Sequence, residues 1–303
     1  MAVLIDGKKL AERICAEVAR EAAKLPRKPC LAAILVGDDP ASEIYVRNKE
    51  RDCLKCGIDS RRFDLPAGTA QEELLSLIDK LNRDGAVDGI LVQLPLPEHI
   101  DESAVIDAIS PDKDIDAFHP LNVGKMITGE PTLWPCTPAG IMEMFREYGI
   151  SLDGKKCVMV GRSNIVGRPM GLLMLRENGT VIYCHRRTPD LAEMTRQADI
   201  LVVAAGSPGL ITGDMIKPGA VVIDVAMNRD PETGKFFGDV CFDEVEKKAS
   251  FITPVPGGVG PMTRAMLMKN ILTAARMSLK LESTHPREGT ETSVSGVQRS
   301  SSS

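Results

Sequence analysis

Leu10, Ile14, Val18 and Ala22 recur every four residues between charged positions, a spacing that predicts an amphipathic helix. Pro26 and Pro29 end it, and Leu31–Val36 is a short apolar run bounded by breakers, which reads as a buried strand. Asp39-Pro40 supplies an N-cap followed by proline at the first helical position, and the helix runs to about Cys56 with Gly57 behind it. Arg61–Leu65 can form a strand. Thr69 and Glu72 have capping-box spacing ahead of Leu74, Leu75, Ile78 and Leu81, and Val87–Gln93 is the next strand. The order β-α-β-α-β favours a parallel sheet covered by helices.

The second half repeats this rhythm. Lys156–Val160, Val181–Cys184, Ile200–Ala205, Val221–Val225 and Ile252–Val255 read as strands. Pro169–Glu177 reads as a helix ended by Gly179, and Met262–Leu281 as a long closing helix in which Met262, Met266 and Met268 are core positions. From Ser283 onward the chain is dominated by Ser, Thr, Gly, Glu and Arg, too poor in apolar surface to order itself.

Composition narrows the class. The chain has 303 residues, enough for about two domains. Its net charge of −5 and its 4% of aromatic residues argue against nucleic acid or an anionic membrane as partner. No apolar run approaches the roughly 18 residues that span a bilayer, and Met1–Lys8 lacks the pattern of a secretory signal. Eight scattered cysteines in a chain able to bury a large core point to a reduced, cytoplasmic protein. Cys53 and Cys56 have C-x-x-C spacing, but no second pair completes a zinc site; they read as two small buried residues, and no metal is expected.

Ser42, Tyr45 and Lys49 share one helix face, offering a hydroxyl, a phenol and an amine; the alternative is a solvated face. Gln93 ends an apolar strand before Leu94-Pro95, where open α/β sheets place ligands; the alternative is a loop-capping amide. Pro111–Asp116 carries alternating acids that match no calcium loop, so a single Asp recognising a nitrogen-rich heterocycle is the sharper reading. In Pro254–Pro261, Pro256, Gly257 and Gly258 form a small rigid loop suited to a ligand or to a structural turn. His99, His119 and His285 show no catalytic partner.

Gly161-Arg-Ser-Asn-Ile-Val-Gly167 follows a strand and opens a helix, so its amides can hold a pyrophosphate, although the spacing is not the usual dinucleotide fingerprint. The next strand ends in His185-Arg186-Arg187, where an NAD site usually has an acid. With Arg162 these arginines suit a 2′-phosphate, which favours NADP over NAD.

Ser42-x-x-Tyr45-x-x-x-Lys49, Val92–Pro97, Asp114-Ile-Asp116, Pro135-Cys-Thr-Pro138, Gly161–Pro169 and Pro254–Thr263 stand in one order along residues 2–281. In that order they resemble the bifunctional methylenetetrahydrofolate dehydrogenase/methenyltetrahydrofolate cyclohydrolase family. Ala117 and Ala226 stand where the family often has Gly, and Cys241 where it has an acid. The resemblance implies two α/β domains with a cleft between them. Residues 1–120 form the folate-binding catalytic domain, residues 263–282 pack back on it, and residues 121–262 form a Rossmann-like NADP-binding domain. Residues 283–303 lie outside the family's pattern and are expected, from their composition, to be a disordered tail.

The resemblance further implies tetrahydrofolate derivatives as substrates, NADP as cofactor and a homodimer. It makes Lys49, Gln93, Tyr45 and Asp116 the catalytic set. Ser42, Leu94, Pro95, Pro256, Gly257 and Gly258 join Tyr45 and Asp116 on the substrate. Thr137, Gly161, Arg162, Ser163, Val166, Gly167, His185, Arg186 and Arg187 bind the cofactor. Two rivals stay open: a single-activity, NAD-using dehydrogenase, against which the arginines and the Lys49, Gln93, Asp116 set argue, and a non-catalytic folate- or nucleotide-binding module.

Overall fold

The computed structural model of the chain describes residues 1–130, 132–230 and 233–284. In chain order the elements are β1 Val3–Leu4, α1 Gly7–Ala22, β2 Cys30–Val36, α2 Pro40–Lys55, β3 Asp59–Leu65, α3 Gln71–Arg83 and β4 Gly89–Val92. Then come α4 Glu102–Ala108, α5 Pro120–Thr128, α6 Cys136–Glu147, β5 Lys156–Val160, α7 Gly167–Arg176 and β6 Thr180–Cys184. The chain finishes with α8 Leu191–Arg196, β7 Ile200–Val203, β8 Val221–Asp224, β9 Asn228–Arg229, β10 Phe236–Phe237, α9 Phe242–Val245, β11 Phe251–Ile252 and α10 Val259–Thr284. The α10 helix runs two residues into the segment expected as tail, and the rest of that segment lies outside the described residues.

Two sheets are wholly parallel. The smaller has the order β3-β2-β4 and the larger the order β1-β11-β8-β7-β5-β6, while β9 and β10 pair as a separate antiparallel hairpin. Strands buried on both faces explain the unbroken apolar runs: every residue of β2, β4, β7 and all but the last of β8 is buried and apolar. One face of the small sheet packs on α3 and α4 through Ile34, Ile90, Leu74 and Ile78. The other face belongs to a single core that also takes in α1, α6, α10 and one face of the large sheet, with Leu31, Leu91, Ile14, Phe145, Met266 and Met159 among its members.

The expected elements form, with instructive differences. Asp39 caps α2 by accepting from the Ser42 amide at 2.8 Å. The Thr69–Glu72 capping box does not form: Ala70 is the N-cap, without a side-chain bond, and Thr69 is buried with its carbonyl taking a ring N–H of His99 at 2.9 Å. A division at residue 120 does not keep the sheets apart, because Val3–Leu4 pairs with Phe251–Ile252 at the edge of the large sheet.

Candidate active site

Chain order within each sheet marks the place where ligands bind. From central β2 the chain goes to β3 on one side and then returns across β2 to β4 on the other. From β5 it goes to β6 and then crosses back to β7. The connections therefore leave in opposite directions at β2/β4 and at β5/β7, which opens a crevice beyond the carboxyl ends of each pair.

At the first crevice, α2 follows β2 and carries Ser42, Tyr45 and Lys49. Ser42 is buried and Tyr45 is 45% exposed, so the phenol presents an open ring face. Gln93 extends β4, its amide donating to Ile34 O at 2.9 Å. Its side chain accepts from Lys49 Nζ through Oε1 at 3.1 Å and donates through Nε2 to Leu94 O at 2.6 Å. Gln93 thus joins helix and strand end, and its second bond fixes which amide atom Lys49 meets. The following Leu94-Pro95 peptide is cis. The α2 helix is clamped on both sides: Arg62 on β3 pairs with Glu43 and Glu50, and Arg264 on α10 with the mostly buried Asp52 at 3.4 Å.

The loop after α4 delivers Asp116 between two anchors. Asp114 Oδ2 accepts from the His119 amide at 2.8 Å and Asn122 Nδ2 at 3.0 Å, so this second acid is a loop brace. Ile115 is buried, and its carbonyl accepts from Asn270 Nδ2 at 2.8 Å. Asp116 itself accepts no hydrogen bond among the described residues. Burial raises its pKa and the Lys49 charge opposes that rise, while the residue as a whole is only half-buried. A desolvated carboxylate with free acceptor sites is suited to a ligand's N–H donors. The next residue, Ala117, has φ +59° and is fully buried.

The Pro254–Pro261 loop has structural duties of its own. Gly258 O lies where a Cβ on Gly7 would come within 1.9 Å, and Gly257 O accepts from the Lys8 amide at 3.0 Å. The start of α1 is therefore pressed against Gly257 and Gly258, and the Val255-Pro256 peptide before them is cis. Thr137 at the start of α6 bonds Thr263 of α10 hydroxyl to hydroxyl at 2.9 Å, tying it to this loop.

At the second crevice Gly161 has φ +127°, and a Cβ there would lie 2.3 Å from Ala204 O. Only glycine lets the β5 loop lie against the β7 loop. Ser163 Oγ accepts from the Val166 and Gly167 amides at 3.2 and 3.3 Å, so it caps α7 and occupies two of the amides expected to hold a pyrophosphate. Arg162, Arg186 and Arg187 are exposed and make no ion pair among the described residues. His185 Nδ1 accepts from the Arg187 amide at 3.1 Å, which leaves Nε2 to carry the proton. A glycine-permitted crevice with three unpaired guanidiniums and no acid at the end of β6 fits a 2′-phosphorylated nucleotide.

Reading the sequence missed the braces: Asn270, Arg62, Arg264 and a buried pair, Asp224 and Asp239. The reasoning that singles out Gln93, a polar residue ending an apolar strand, also applies to Asp224 at the end of β8.

A Rossmann-like unit with a cation-lined crevice, joined to a second parallel α/β unit with a Lys–Gln pair and an open carboxylate, defines a nicotinamide-nucleotide-dependent enzyme. Residues 5–116 match the tetrahydrofolate dehydrogenase/cyclohydrolase catalytic domain and residues 135–279 the NAD(P)-binding domain of the same enzymes. The chain belongs to the tetrahydrofolate dehydrogenase/cyclohydrolase family. It is 55% identical over 284 residues to the bifunctional protein FolD of Acetivibrio thermocellus, covering 93% of this chain and 99% of that one. Among solved structures it resembles the bifunctional FolD of Campylobacter jejuni, with TM-score 0.90, 48% identity, and 91% and 99% of the two chains covered. It also resembles the Trypanosoma brucei enzyme complexed with NADP cofactor and inhibitor, with TM-score 0.87, 42% identity, and 92% and 99% covered.

Proposed function

We propose that one set of side chains at the β2/β4 crevice serves both activities of this NADP-dependent methylenetetrahydrofolate dehydrogenase and methenyltetrahydrofolate cyclohydrolase. Tyr45 stacks on the pterin, Asp116 accepts from its amino and ring N–H groups, and Ser42, Leu94, Pro95, Pro256, Gly257 and Gly258 shape the pocket around it. NADP, when bound, supplies the hydride acceptor that turns the methylene bridge into a methenyl cation. Arg162, Arg186 and Arg187 hold its 2′-phosphate, and Thr137, Gly161, Ser163, Val166, Gly167 and His185 line its crevice.

The folate nitrogens drive the oxidation, so it needs alignment and no strong base. Hydrolysis differs: water attacks the methenyl carbon and a proton must leave that water. The methenyl cation beside Lys49 disfavours a second positive charge, so with this substrate bound the neutral Lys49 amine takes the proton and passes it to the folate nitrogen that leaves as the ring opens to 10-formyltetrahydrofolate. Gln93 Oε1 keeps the amine aimed throughout. The observation that carries this reading is the 3.1 Å Lys49–Gln93 bond at the β2/β4 crevice, on an amine whose charge acts on Asp116.

Residues 1–120 with the 263–282 helix are assigned to the folate and residues 121–262 to the nucleotide. The β6 strand is the outer strand of the large sheet, with Tyr183 40% and neighbouring Leu175 59% exposed, which supports a homodimer through this edge. A cytoplasmic place accords with the eight free thiols.

The test is a turnover assay with methylenetetrahydrofolate and either NADP or NAD, following methenyl product and its decay. NADP-dependent formation followed by hydrolysis is expected. Formation without enzymatic decay, or with NAD alone, overturns the reading.

A further inference from the structure

Asp224 and Asp239 are buried carboxylates that neither activity uses, and no cation among the described residues pairs with them. Removing a carboxylate from water without a partner is strongly unfavourable, so its acceptors must be well occupied. Here backbone amides occupy them. Asp224 Oδ1 accepts from the amides of Ala226 and Asp239, each at 3.1 Å, and Oδ2 from that of Val240 at 2.9 Å. A Cβ on Gly238 would fall 1.8 Å from Asp224 Oδ2, so only glycine lets the chain pass over this carboxylate.

Asp239, oriented by that turn, receives two consecutive amides, Ala205 and Gly206, on Oδ2 at 2.8 Å each, and Asn228 Nδ2 on Oδ1 at 3.0 Å. The pair gathers residues 204–206 after β7 and 226–228 after β8. The Asp224 amide continues the chain of contacts to Thr253 Oγ1 at 2.8 Å, next to the Pro254–Pro261 loop.

Residues 204–206 are one wall of the β5/β7 crevice, and the loop beginning at Gly161 is the other. We infer that Asp239 is a positioning residue for the dehydrogenase step: through the Ala205 and Gly206 amides it fixes this wall, and with it the seat of the nicotinamide cofactor. The inference rests on the assignment of the cofactor to this crevice. Asp224 acts one step further out, holding Asp239 by its own amide. The hydrolytic step needs no cofactor, so it does not depend on this wall, and the enzyme contains its own control.

The experiment measures kcat and the KM for NADP in dehydrogenase turnover, and methenyl hydrolysis on the same preparations. Asp239→Ala lets the wall relax, and a displacement near 1 Å should lower dehydrogenase kcat/KM for NADP about 100-fold while hydrolysis persists. Asp239→Asn keeps one oxygen for the two amides, and Asn228 can turn its own amide to match, so this variant should recover most of the loss.

Asn228→Asp tests the same contact from a half-buried position. It sets a second carboxylate at the 3.0 Å site; assayed at alkaline pH, where the two carboxylates cannot share a proton, it swings Asp239 away by repulsion and should raise the KM for NADP about tenfold. An unchanged KM for NADP in Asn228→Asp, or a parallel loss of both activities in every variant, overturns the inference. Arg162→Ala is measured alongside. If it leaves NADP binding untouched, the cofactor assignment itself fails; if it weakens NADP while the Asp239 variants do not, only the positioning role fails.

Discussion

Replacing Lys49 by Met and, separately, by Arg separates two effects that the structure couples. Lys49→Met keeps a long stem and removes the proton carrier. A positioned acid–base group typically contributes 10²–10⁴-fold, so methenyl hydrolysis should fall by about that factor, or ~3–5.5 kcal/mol in barrier. The same substitution removes the charge that opposes the upward push on Asp116. Without it Asp116 holds its proton to higher pH, and its contact with the pterin drops from charge-assisted, about 1.5–3 kcal/mol, towards neutral, about 0.5–1.5 kcal/mol. The difference, about 1–1.5 kcal/mol, is the ceiling of the effect, so the folate KM should rise, by up to about 5–13-fold, in the dehydrogenase assay, with kcat largely kept. Lys49→Arg restores the charge but not an amine able to take and pass on a proton, because a guanidinium stays protonated. It should return the folate KM towards the parent value and leave hydrolysis deficient. Dehydrogenase progress curves at several folate concentrations, with methenyl accumulation read in parallel, distinguish these outcomes. A Lys49→Arg enzyme with normal hydrolysis, or a Lys49→Met enzyme whose activities fall in proportion, refutes the division of labour.

Arg162→Ala and Arg186→Ala should raise the KM for NADP more than that for NAD, and should flatten the salt dependence of NADP binding because the lost contacts are exposed; equal weakening of both cofactors counts against a 2′-phosphate contact. Arg27 forms a two-pronged pair, 2.7 Å on each oxygen, with Asp88, whose side chain is fully buried. Arg27→Met leaves that charge unpaired and should lower unfolding free energy by about 3–5 kcal/mol, seen as a lower urea midpoint at unchanged slope. Burial pushes the Asp224 carboxyl up to about 6 from its ordinary 3.8, so the folded state holds this proton more tightly than the unfolded chain. The associated stability is complete below pH ~4 and is lost as pH rises through about 6, a change of ~3 kcal/mol. Asp224→Asn should remove that component, so the stability difference between parent and variant should slope between pH 4 and 6; a flat difference would contradict the burial.

Much of this was legible because local and global signals agreed. Leu31–Val36 and Gly89–Val92 are apolar runs since helices cover both faces of their sheet, and Asp39-Pro40 caps a helix by local chemistry alone. Gln93 stood out because a polar residue ending an apolar parallel strand sits where such sheets place ligands, whereas its grouping with Lys49 followed from the family resemblance. The failures have equally physical causes. Thr69 has capping-box spacing, but its burial turns the backbone towards His99. The α6 helix escaped because two prolines flank its first turn, where proline is tolerated. Strand β1 is two residues long, and its partner lies almost 250 positions away. The Asp239 contacts to Ala205 and Gly206 join segments more than 30 residues apart, and no pattern along the chain announces such a meeting.

The shared core has a consequence for how the two units can be exchanged. The first strand of the chain completes the edge of the large sheet, and α10 lies with α1 and α6 in one apolar layer between the two sheets. Neither unit is a cassette. A graft of the nucleotide-binding half onto a relative would have to bring residues 1–5 and the closing helix with it, or leave an unpaired strand and a bare apolar stripe at the seam. Recombination within this family should therefore be tolerated at the loops around each crevice and resisted at the midpoint of the chain, where a linear map of the domains would place the cut.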